Sequence, residues 1–328
     1  MLFQTCGACR ATNYMSVLRQ ALRFAGFGQV PVFAAYGMPE ETDAFRLDRH
    51  ILLDVVKASV YGDLLMSVKN RLLPYEKRPG SVERKYKHWL ARCKEEIKHG
   101  GYFAYRQLIK ELVLDFEQMP VKEVWKPKVG IVGEILVKYH RVANNDIEKI
   151  LLNEGAEVVM PNFVDFFLYN AYDAIAAHRL LAGSYKNKLL AEIFIKFLEF
   201  CRRPVRQALA KSERFRAPLS IKQIARLAER HVSLGNMAGE GWFLTGEMVK
   251  LIEEGVPNVV CLQPFGCLPN HITGKGVLHE LRARYPAANI VAIDCDAGSS
   301  EVNQLNRLKL MLAVAKEQQN FDKKSIAT

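Results

Sequence analysis

No stretch of this 328-residue chain approaches the ~18 consecutive apolar residues that a membrane-crossing helix needs. The start, MLFQTCGAC, lacks the basic residues and the small-residue cleavage site of a secretory signal. Both absences point to a cytoplasmic protein that does not enter the membrane. A disulfide framework is also excluded, because seven cysteines, an odd number without an export signal, argue for reduced thiols. Internal repeats, low-complexity segments, zinc-finger spacings and the RNA-recognition signature are all missing, so nucleic acid is not the expected partner. Neither glycine-containing loop cradles a nucleotide. GCLPNHITGKG has Pro269 and Asn270 where a P-loop needs glycine and Gly276 where it needs a magnesium-binding hydroxyl, and VGIVGEI lacks the dinucleotide fingerprint.

What is present is a large core. Apolar residues make up 49% of the chain and aromatics 10%, enough for two domains. The net charge of +11 is concentrated in two segments: Lys69 to Lys110 carries twelve Lys or Arg against four Glu, and Arg202 to Arg230 carries nine against two. An anionic partner would suit them, although both also show helical apolar spacing and read first as solvated helix faces.

The pattern predicts an α/β protein of Rossmann-like parallel-sheet domains with large helical segments. A first domain, residues 1–122, opens with strand LFQT, a helix from about Thr12 to Ala25 and a strand near QVPVFAAYG, then turns helical from about Asp43 to Gln118. A second domain, 123–316, begins with strand VGIVG, helix DIEKILLNE capped by Asn144 or Asn145 and closed by Gly155, and strand AEVV, a βαβ unit. A helical insertion spans about 163–232. The sheet resumes with helix WFLTGEMVKLIEE, strand NVVCLQ, a helix over about Ile272 to Arg284, strand NIVAID and a last helix from Glu301 to Lys316, leaving 317–328 as a flexible tail.

Ligands of open parallel sheets collect at the carboxyl ends of strands, and three such ends carry cysteine: CGACR, PFGCLPNHITGKG and CDAGSSE. Cys6, Cys9 and Cys267, with His271 one turn further on, could hold zinc or, since a cluster bridges dispersed thiolates, iron and sulfur. Cys6 and Cys9 before a helix and beside Arg10 also have the local form of a thiol–disulfide motif. Two buried thiols packing as small hydrophobes would be the simplest alternative. Cys93, Cys201 and Cys261 read as core or surface thiols, and Cys295 is less clearly assigned. Gly274, Lys275 and Gly276 could present an anion site but read first as a helix entrance. Glu134, Glu240, Glu247 and Asp296 could serve as acid/base groups and read first as helix caps or solvated loop charges, while His140 and His271 could move protons near neutral pH.

Five segments, QTCGACRATNY, KVGIVGEILVKYHRVANNDIEKILLNEGAEVV, GWFLTGEM, CLQPFGCLPNHITGKGV and NIVAIDCDAGSSEVNQLNRLKLML, resemble the carboxyl-terminal part of the CoA-substrate-specific enzyme activase family. That family belongs with the 2-hydroxyacyl-CoA dehydratase and benzoyl-CoA reductase superfamily and its double-cubane-cluster relatives. The resemblance runs from Leu2 to about Ala315. It implies Rossmann-like domains whose interface holds an iron–sulfur cluster, [4Fe-4S] or double-cubane. It also implies a separate ATP-hydrolysing activator that delivers low-potential electrons, and a CoA thioester as the candidate substrate to be reduced or dehydrated. Carried onto this chain, Cys9 and Cys267 are the best-matched cluster ligands and Cys6 a third, with Arg10, Asn13 and His271 orienting or hydrogen-bonding the thiolates. Cys295 stands where relatives are expected to have an aromatic residue.

Two departures qualify the match. Large relatives carry amino-terminal ATPase-like modules, whereas this chain starts at the first cysteine motif. If Cys6 is not a ligand, only two of the usual three thiolates are present, so the third would come from a second copy, another subunit or missing amino-terminal domains. The expectation is a redox protein acting as a homodimer or hetero-oligomer. A non-catalytic scaffold, a zinc-binding fragment of a larger activase, or a CxxC thiol–disulfide module are the alternatives.

Overall fold

The computed structural model describes residues 13–32, 49–296 and 298–326. The expected strands LFQT and the greater part of QVPVFAAYG lie outside these residues. Helix α1 spans Tyr14–Phe24 and α2 Arg49–Leu72, where Pro74 in the following short turn prevents its continuation. After the EKRPGS turn come α3 (Ser81–His99) and α4 (Tyr102–Glu117).

The sheet that follows is wholly parallel, with strands β1 (Lys128–Gly133), β2 (Glu157–Val159), β3 (Asn258–Gln263) and β4 (Asn289–Asp294) in the order β2-β1-β3-β4. Both faces are covered, which is why these strands read as continuous apolar runs. Val129, Ile131, Val260, Leu262 and Ile293 face one helical layer. It is formed by α6 (Ile147–Asn153) and α12 (Glu301–Ile326) and supplies Leu151, Leu308 and Leu312. The alternate residues Val132, Val259, Cys261 and Ile290 meet the other layer, formed by α10 (Gly241–Glu253) and α11 (Leu278–Arg284), with Leu244, Met248 and Leu281. The period of two along each strand accounts for this division.

The expected βαβ unit is there, with Gly155 closing α6 at φ +86 and Asn144 Oδ1 accepting the Ile147 N–H at 3.3 Å. A five-residue helix, α5 (Ile135–Tyr139), also intervenes directly after β1. Between β2 and α10 lie α7 (Phe163–Leu180), α8 (Tyr185–Leu209) and α9 (Ile221–Glu229), the helical insertion. These helices share one core with α2, α3 and α4 through Leu64, Phe116, Leu168, Leu198 and Ile224. The link is also polar: Asp63 of α2 accepts the N–H groups of Phe163 and Val164 at 2.7 and 2.9 Å, capping α7 from a hundred residues away. The last helix runs on to Ile326 instead of ending at Lys316.

The two basic segments fall on helices, and many of their cations are paired. Lys69 meets Glu83 at 3.3 Å, Arg92 meets Glu111 at 3.0 Å and Arg206 meets Glu199 at 2.7 Å, while Arg202 and Asp165 form a buried pair at 2.9 Å. Among the described residues no helix is long and apolar enough to cross a membrane.

Candidate functional site

From β1 the chain crosses to β2 on one side, and from β3 to β4 on the other. The crevice between the carboxyl ends of β1 and β3 is therefore the switch point at which such sheets bind ligands. Two glutamates meet there, each next to a glycine that its backbone requires. Gly133 ends β1 at φ +139, and a Cβ on it would lie 1.9 Å from the Leu262 carbonyl oxygen, so only glycine lets β1 pass β3 this closely and turn Glu134 inward. Gly241 adopts φ +44 with a Cβ position 2.0 Å from the Asn236 oxygen, and it brings Glu240 to the same crevice.

Glu134 is 2% exposed and caps α5 by accepting the Val137 N–H at 2.8 Å. Glu240 is 4% exposed and accepts the Ile135 N–H at 2.9 Å. Tyr14 at the start of α1 donates its hydroxyl to Glu134 at 3.4 Å. Burial raises the Glu134 carboxyl above its ordinary value against the hydrogen bonds it accepts. Burial first, and the Glu134 charge second, push Glu240 up to about 7. A carboxyl with that affinity can take up or release a proton near neutral pH. Deeper in, the buried Lys138 ammonium holds Glu247 at 3.0 and 3.1 Å. The Glu247 carboxyl is nevertheless raised, by burial above all.

The loop after β3 closes the other side. Asp296 accepts the Phe265 N–H at 3.0 Å, and the Cys295 N–H donates to the Gln263 carbonyl at 2.7 Å, so the β4 end holds the β3 loop. Thr273 donates to the Pro269 carbonyl at 2.8 Å and Thr245 of α10 to the Thr273 carbonyl at 2.7 Å, pinning the loop from beneath. Within it Cys267 is partly exposed and Asn270 fully buried. The Asn270 amide donates to Cys267 Sγ at 3.1 Å and lies 3.4 Å from Glu240 Oε2. Phe265, Leu268 and Ile272 of the same loop are exposed at 78%, 52% and 50%, leaving an apolar surface beside the sulfur.

Of the residues singled out by sequence, Cys267 is thus placed at the switch point. His271 follows it, but its ring Nδ1 lies 2.9 Å from the Cys267 carbonyl oxygen, so it engages the backbone of that residue. Asn13 precedes α1, is exposed and makes no capping bond. Cys6, Cys9 and Arg10 lie outside the described residues. Lys275 is held by Asp294 at 3.0 Å and Gly274 is buried against Leu244, which makes this stretch the helix entrance it resembled. His140 is exposed, with its Nδ1 accepting the Ala143 N–H at 3.3 Å.

The other thiols belong to cores. Burial pushes Cys93 and Cys261 up to about 12 and Cys295 to about 11, and it raises Cys201 as well. Cys261 and Cys295 are committed to the apolar layers on opposite faces of the sheet. Among the described residues no group of three or more His, Cys, Asp or Glu side chains could hold a metal ion. Cys267 is the one cysteine that the described residues place at the switch point.

Glu134 is the helix cap that its sequence position allows, whereas the reading of Glu134, Glu240 and Glu247 as solvated loop charges is corrected, since all three are buried. Asn270 was not anticipated. Its three-residue spacing from Cys267, one helical turn, is the signal that could have singled it out. No family model, curated protein or solved structure matches this chain.

Proposed function

We propose that this chain is an iron–sulfur redox protein in which Cys267, with Cys9 and Cys6, binds the cluster. In this reading it accepts low-potential electrons from an ATP-dependent activator and reduces or dehydrates a substrate, with a CoA thioester as the candidate. The observation that carries the reading is the gathering of polar groups at the switch point, where the Asn270 amide donates to Cys267 Sγ and lies near Glu240, and Tyr14 donates to Glu134, whose chain neighbour Ile135 donates its N–H to Glu240. Tyr14 stands only five residues after Cys9, a span of at most ~18 Å of extended chain, so the anchoring of Tyr14 at this crevice supports a site shared by both cysteine motifs.

A cluster bound there would supply one-electron chemistry. The protein's own groups have distinct parts. The Asn270 N–H stabilises negative charge on the Cys267 sulfur, and the buried amide fixes the direction of that sulfur. Glu240, with its raised proton affinity, holds a proton beside the site while Glu134 stays hydrogen-bonded to the α5 N-terminus. The apolar Phe265, Leu268 and Ile272 offer a surface that excludes water once covered.

Anaerobic purification tests the proposal. Visible sulfur-to-iron charge-transfer absorbance with matched iron and sulfide is the expected result. A colourless protein with stoichiometric zinc, or one with no metal after reconstitution with iron and sulfide, would overturn it.

A further inference from the structure

A second feature of the structure lies beside β2, the edge strand of the sheet. A cavity of about 250 Å³ opens there between β2, α2 and α8. Six Lys or Arg line it against four Asp or Glu. Two of the four carboxylates, Glu157 and Asp63, are already engaged. Glu157 is bound by Arg71 and by the Tyr75 hydroxyl at 2.7 Å, and Asp63 is taken up in capping α7. Arg214 and Arg216 donate to the backbone carbonyls of Met119 and Glu254.

Among the other lining groups are two lysines and an asparagine. Lys250 of α10 is 8% exposed, and Lys128 at the start of β1 is half-buried; neither forms an ion pair among the described residues. Glu247, the carboxylate whose charge Lys250 influences, is already held by Lys138. Asn70 is 2% exposed, and neither its amide nitrogen nor its amide oxygen has a hydrogen-bond partner. A buried amide without partners is rare because it forfeits its hydration. A ligand that satisfies Asn70 and brings negative charge to the two lysines removes that cost.

We propose that this cavity binds a small organic anion through a carboxylate or phosphate group held by Lys128, Lys250 and Asn70. The volume sets the size class, since pockets for drug-sized ligands run to about 300–1,000 Å³, and this one suits a compact acid or phosphate ester. The cavity shares no lining residue with the Cys267 crevice, which lies beyond the carboxyl end of β3, so the inference stands independently of the proposed redox activity.

Calorimetric titration of the full chain with citrate and with inorganic pyrophosphate tests it, and the probe that binds identifies the head group. Saturable binding of at least one is expected, weakened at least tenfold in Lys250→Met and in Lys128→Met and unchanged in Cys267→Ala. Should a lysine variant fail to unfold cooperatively, Asn70→Asp takes its place; it keeps the side-chain volume, adds a like charge and is expected to abolish binding. No saturable binding of either probe, or undiminished affinity in any folded variant of the three cavity residues, would overturn the assignment.

Discussion

Asn270 Nδ2 lies 3.1 Å from Cys267 Sγ and 3.4 Å from Glu240 Oε2, so one buried amide joins the β3 loop to the carboxylate that heads α10. Replacing it with alanine removes the donor to sulfur and leaves Glu240 short of a partner, at a cost of about 1–3 kcal/mol in folding stability. In the cluster-loaded protein Asn270→Ala should also make the reduction potential more negative, because a hydrogen bond to a ligating sulfur favours the reduced form. An unchanged potential, read by redox titration, would remove Asn270 from the site.

Lys138 and Glu247 form a pair in which each side chain is 2% exposed. Lys138→Met leaves a buried carboxylate uncompensated and should cost about 3–5 kcal/mol. The double variant Lys138→Met with Glu247→Leu should recover much of that loss. Urea unfolding of the two variants checks this, and equal stabilities would show that the pair is not the source of the effect.

Stability should fall as pH rises from about 5 to about 8. Burial, followed by the Glu134 charge, pushes Glu240 up to about 7, and burial raises Asp63 to about 7 and Asp173 to about 8. Each carboxyl binds its proton more tightly folded than unfolded. Its contribution is therefore complete below the unfolded pKa and lost as pH climbs through the folded one. Glu240→Gln should flatten this dependence in urea midpoints measured across the range, and a slope as steep as that of the parent protein would contradict the assignment.

Gly133→Ala should prevent folding. Its Cβ would be driven to 1.9 Å from a backbone oxygen at φ +139, with no flexible side chain able to yield. Loss of cooperative unfolding or a destabilisation above about 4 kcal/mol is expected, and a folded, stable variant would show that β1 and β3 can separate there.

Much of this architecture is legible in the sequence. VGIVG, NVVCLQ and NIVAID are apolar runs bounded by glycine, proline or polar turns, and all three form strands of the parallel sheet. The helix from Glu301 extends past Lys316 because EQQNFDKKSI contains good helix formers and neither glycine nor proline to stop it. Glu134, Glu240 and Glu247 stand out in the sequence as candidate acid/base groups, but their burial is not legible there, for a definite reason. Glu134 and Glu240 sit in turn-rich, glycine-flanked stretches that look solvated, and they become buried through partners far away, Glu240 with Ile135 at a separation of 105 residues. Cys267 stands out in the sequence because a cysteine in a loop after a buried strand is a chemical anomaly, and the structure places it at the end of β3. Asn270 was not, because an asparagine in a turn needs no explanation until its amide is seen on sulfur.

The central claim is that Cys267 is a cluster ligand, and the most direct measurement is the iron and sulfide content of Cys267→Ala purified anaerobically beside the parent protein. Near-complete loss of both is expected in a variant whose circular dichroism and urea midpoint stay close to those of the parent. Undiminished iron and sulfide in the folded variant would contradict it.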